Sequence, residues 1–61
     1  MTKEELVDKA FQLIGNLLYV VDDTTTSATK LMISDFALEP NVAASIVSIA
    51  FERWMKIYCP E

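Results

Sequence analysis

The chain offers few side chains able to do covalent chemistry. It has no histidine, the usual general base near neutral pH. Its single cysteine, Cys59, stands beside Pro60 with no imidazole to draw off its proton, so it lacks the features of an activated thiol. Adjacent carboxylates occur at Glu4-Glu5 and Asp22-Asp23. Both pairs fall where helices are expected to start, and the helix dipole favours acidic groups there. Gly15 is the only glycine, which excludes a Gly-rich phosphate loop. One cysteine without histidine leaves zinc short of its usual N and S ligands. No catalytic residue, metal or cofactor is expected, and the chain is read as a non-enzyme.

The residue types that remain are those of recognition. Phe51, Arg53, Trp54, Met55 and Tyr58 crowd the end of the chain, and Trp, Tyr, Met and Arg are enriched at the centres of protein interfaces. They are the candidate interface. Glu4, Asp8 and Gln12 form a candidate second surface on the outer face of the first helix. Two charges sit oddly, Asp35 and Arg53, because each falls inside an otherwise apolar arc. A buried charge must be paired or it costs several kcal/mol. Three arrangements satisfy Arg53: a pair with Asp35, a pair across a subunit interface, or a head that reaches out to water beside Trp54.

Nine acidic and five basic side chains give a net charge of -4, which argues against a phosphate-binding surface built on clustered Lys and Arg. A short helix, a tight break and a third helix could still form a helix-turn-helix. Its reading helix would need Arg, Lys, Asn or Gln near its start. The stretch Asn41-Val42-Ala43-Ala44-Ser45 has no basic residue, and none follows before Arg53. The opening MTKEELVDK lacks the pattern of a leader peptide, and no apolar run approaches the length of a membrane span. With its lone cysteine, the chain is expected in the cytoplasm.

Three helices must position these residues. Thr2 with Glu5 forms a capping box. Leu6, Val7, Ala10, Phe11, Leu13, Ile14, Leu17, Leu18 and Val21 then recur at three- and four-residue spacing, which predicts a helix over about 3–21. Gly15 falls on its polar side and is read as a tolerated surface position, the alternative being a close helix crossing. The polar run Asp22-Asp23-Thr24-Thr25-Thr26-Ser27 could receive a phosphate, but capping already explains these residue types: Asp23, Thr24 or Thr25 should start a second helix over about 25–37. Leu38-Glu39-Pro40 breaks it, and Pro40 opens a third helix over about 40–58.

That third helix is apolar around roughly two-thirds of its circumference, wider than a surface helix needs. It must be covered on more than one side. Sixty-one residues make a single domain, and chains this short bury only about 60% of their unfolded surface. Disulfides and metals are unavailable to this composition, so oligomerisation is the expected supplement. The sequence therefore predicts an all-α, long-short-long three-helix bundle over residues 1–61, completed by homodimerisation through the C-terminal helix. The expected function is a small acidic protein–protein interaction module, a regulator, inhibitor or adaptor, whose partners are a second copy and another protein. The alternatives are a helix-turn-helix regulator associated with nucleic acid and a purely structural assembly subunit.

Overall fold

The computed structural model describes residues 2–18 and 23–59, which form three α-helices with no strand among them. Helix α1 spans Lys3–Leu17, α2 spans Thr24–Phe36 and α3 spans Pro40–Tyr58. The expected continuation of α1 to residue 21 falls largely on residues 19–22, outside the described residues.

Local chemistry sets each start. Thr2 Oγ1 accepts from the Glu5 N–H at 3.2 Å, and the Glu5 carboxylate accepts from the Thr2 N–H at 3.3 Å, so both halves of the capping box are made. Asp23 caps α2: its carboxylate accepts from the Thr26 N–H at 3.2 Å and from the Thr26 hydroxyl at 2.8 Å. Pro40 opens α3 behind an extended Glu39 that provides no side-chain cap.

The ends are less orthodox. Ala37 closes α2 with φ 54° and ψ 41°, the left-handed region that glycine or asparagine usually occupies at a helix C-terminus. Leu38-Glu39-Pro40 marks the break, but nothing in the sequence marks its left-handed residue, because that residue is an alanine.

Lys3 and Leu6 lie beside Val42 and Ile46 at one end of the bundle. Phe11 and Gly15 lie beside Trp54 further along. Helices α1 and α3 therefore run parallel, with α2 returning between them. The core is Leu6, Val7, Ala10 and Ile14 of α1, Ala28 and Met32 of α2, and Ala43, Ile46, Val47 and Ala50 of α3. Four of these are alanines, all fully buried. Small residues at the contact points let helix axes approach to the short end of the usual 8–10 Å range.

The chain exposes 4197 Å², close to the ~4000 Å² expected of a folded monomer of its mass. Ordinary total burial thus coexists with exposed apolar side chains at Val42, Met55, Ile57 and Tyr58.

An L-residue in the left-handed region costs roughly 1–2 kcal/mol, partly offset by the backbone entropy a glycine would lose. Ala37→Gly should stabilise the fold by about 1 kcal/mol, read as a higher urea midpoint at unchanged slope. A midpoint at or below that of the unsubstituted chain would refute strain at this turn.

Candidate functional site

The chemistry-bearing residues gather along the seam of α1 and α3. Trp54 occupies its middle, half-buried. Its ring centroid lies 4.1 Å from that of Tyr58 and 5.4 Å from that of Phe11, and the Phe11–Tyr58 separation is 6.5 Å. The two tilted Phe11 pairs are in the range where aromatic contacts add to simple area burial, and Trp54 and Tyr58, one turn apart on α3, lie closer still.

Gly15 is the floor of this cluster. A Cβ placed on Gly15 would come within 3.0 Å of Trp54 Cζ3 and 3.3 Å of Cη2. The expectation of a tolerated surface glycine is therefore corrected. Gly15 marks a close approach, because the indole rests on the bare backbone of α1. Helical periodicity could assign Gly15 to a face of α1, but no signal in the sequence linked that face to Trp54.

The pairing of Arg53 with Asp35 is also corrected. Arg53 Nη1 and Nη2 donate to the two carboxylate oxygens of Glu4 at 3.1 and 3.0 Å, a two-pronged pair of good geometry. Asp35 is exposed on α2. The pair is itself at the surface, with the Arg53 and Glu4 side chains 43% and 70% exposed. It orients the two helices more than it stabilises them. The guanidinium holds the Glu4 carboxyl below its ordinary value, first by hydrogen bonding and then by charge. In return Glu4, aided by the charge of Asp8, holds the Arg53 guanidinium above its own. One turn on, Lys56 pairs with Glu52 at 3.3 Å.

The candidate interface residues divide. Met55 and Tyr58 are exposed, while Phe51 and Trp54 are half-buried within the monomer, and Arg53 is held by Glu4. Of the second surface, Asp8 lines a shallow hollow of about 400 Å³ with Phe11, Arg53, Lys56 and Ile57. Gln12 instead borders the groove between α1 and α2. Sequence reasoning missed Phe11 as a member of the aromatic cluster, and it missed Val42 and Ile57 as exposed apolar positions. Cys59 is exposed, and the described residues contain no cluster of three or more potential metal ligands. No described helix is long and apolar enough to cross a membrane.

The chain matches no family model, no curated protein and no solved structure. Function must be argued from this geometry.

Gly15→Leu forces a side chain into the place of the indole. It should cost about 1–3 kcal/mol and shift Trp54 emission to longer wavelength, whereas Gly15→Ala stays within about 1 kcal/mol because helix propensity offsets the crowding. Unchanged emission and stability in the Leu variant would show that the ring is not seated there.

Glu4 has a lowered pKa in the folded state. The stabilisation it provides is complete above the ordinary carboxylate value and is lost as pH falls through the lowered one. The stability gap between the unsubstituted chain and Glu4→Gln, measured by urea titration, should be full above the ordinary carboxylate range and should shrink as pH falls below it. A gap independent of pH would contradict the ion pair.

Proposed function

We propose that the chain is a small acidic protein–protein interaction module, a regulator, inhibitor or adaptor that works as a homodimer through α3. The observation that carries this reading is the end of α3, where Met55, Ile57 and Tyr58 stand 41%, 60% and 58% exposed. Ile57 and Tyr58 adjoin on this last turn with Met55 on the opposite flank, and several large apolar side chains left exposed at one helix end are the usual mark of a contact surface.

The residue types agree with this. Tyr58 and Met55 flank Trp54 and Arg53, and interfaces concentrate their binding energy in such side chains. Met55 adds an unbranched, adaptable contact. The charge balance of -4 supports a protein partner over nucleic acid, since phosphate neutralisation needs clustered cations. Arg53 and Lys56, the cations nearest this surface, are each engaged by a carboxylate. The lone exposed Cys59 fits a reducing compartment such as the cytoplasm.

Molar mass by light scattering, across a dilution series with reductant present, tests the reading. The expected mass at high concentration is twice the 6.9 kDa of one chain, falling toward the single-chain value on dilution. A mass of 6.9 kDa throughout would remove the homodimer and turn the search to a foreign protein for the exposed end of α3.

A further inference from the structure

Two apolar hollows open on the same side of the α1/α3 seam. One, of about 410 Å³, is lined by Leu6, Val42 and Ile46 with Lys3 at its edge. The other, of about 400 Å³, is lined by Phe11 and Ile57 with Asp8 and Lys56. The Glu4–Arg53 pair bridges the seam from α1 to α3, and Ile49 on α3 is half-buried. The groove between α2 and α3, larger at about 700 Å³, is more polar, because hydroxyl groups of Thr25, Thr26 and Thr29 line it beside Val47 and Phe51. Those hydroxyls are already committed to Asp23 and to the Thr25 carbonyl.

Charge distinguishes this side of the molecule. Lys3, Arg53 and Lys56 stand there with Glu4 and Asp8, and Glu52 closes on Lys56. Three basic and three acidic groups cancel. Among the described residues the other charged side chains are Lys9 and Lys30 against Glu5, Asp23, Asp35 and Glu39, two basic and four acidic, so that remainder is net negative. Two copies of an acidic protein meet with less repulsion through this balanced side.

Area points the same way. A stable interface takes about 800 Å² from each partner, roughly a fifth of the 4197 Å² exposed. Three side chains at the end of α3 cannot supply that, so the interface must extend onto a second helix.

We infer that the partner on this seam is a second copy of the chain, with the two α3 helices packed antiparallel about a two-fold axis beside Ile49. In that register Val42 lies opposite Ile57 of the partner subunit, and the half-buried Ile49 approaches Ile49 of the partner subunit at the axis, so each hollow receives an apolar side chain. The inference rests on the self-association proposed above and assigns it to the flank bearing Val42 and Ile57 rather than the flank bearing Met55.

Exposed-site substitutions to Asp separate the two flanks. Val42→Asp and Ile57→Asp should each weaken dimerisation by about tenfold or more, measured by sedimentation equilibrium, with helicity checked by circular dichroism. Met55→Asp should leave the dimer within about threefold of the unsubstituted chain. The reverse pattern would overturn this inference and leave the homodimer standing. An unsubstituted chain that is monomeric at every concentration would overturn both. A second measurement uses a nitroxide on Ser45→Cys, at the rim of the first hollow, in a Cys59→Ser background, mixed with isotope-labelled copies. Broadening of the Val42 and Ile57 methyl signals is expected, and broadening confined to Phe51 and Thr29 would overturn the assignment.

Discussion

An indole approaches a helix most closely where the helix presents no side chain, and Gly15 gives Trp54 such a place. The seat fixes the rotation of α3. At about 100° per residue, turning Trp54 toward α1 brings Ala43, Val47 and Ala50 into the core. The same rotation carries Arg53 to the flank beside Glu4, leaves Ile57 at the outer edge, and sends Met55 to the opposite flank. The helix interior gives up about 1 kcal/mol by carrying glycine rather than alanine. An aromatic cluster of three rings is built on that concession.

The rest of the interior follows from the same closeness. Where axes approach through Ala10, Ala28, Ala43 and Ala50, few large side chains fit between them, and the largest fully buried ones are Ile14, Met32, Val7 and Val47. Such a core is tight but small, so the apolar residues that exceed its capacity remain outside. An apolar content of 52% is therefore compatible with an ordinary exposed area. The excess marks where contacts with other surfaces are available.

Much of this was legible in the sequence because it is local. The capping box at Thr2 and Glu5, the cap before the threonine run and the start at Pro40 depend on residues within one helical turn. Periodicity assigned Leu6, Val7, Ala10 and Ile14 to one face without any knowledge of what it met. Tertiary pairings had no such signal. Arg53 could be recognised as needing a partner, but Glu4 lies 49 positions away and looked fully explained by the helix dipole. Gly15 was misjudged for a related reason, since a helical wheel shows a residue's face and not its neighbour. Ala37 gave no warning because its left-handed backbone is imposed by the turn rather than preferred by the residue.

The parallel course of α1 and α3 has a consequence for the order of assembly. Helices α2 and α3 are neighbours across a three-residue connection and can meet as a local hairpin. The α1–α3 contacts must close nearly the whole chain, at an entropic cost of about 3.5 kcal/mol for a loop of 49 residues. Such long-range contacts form late in folding. Packing α1 along α3 brings together both the Gly15–Trp54 and the Glu4–Arg53 contacts. Separating α1 from the other two helices would break the Gly15–Trp54 and Glu4–Arg53 contacts together and bare Ala43 and Ala50 at once.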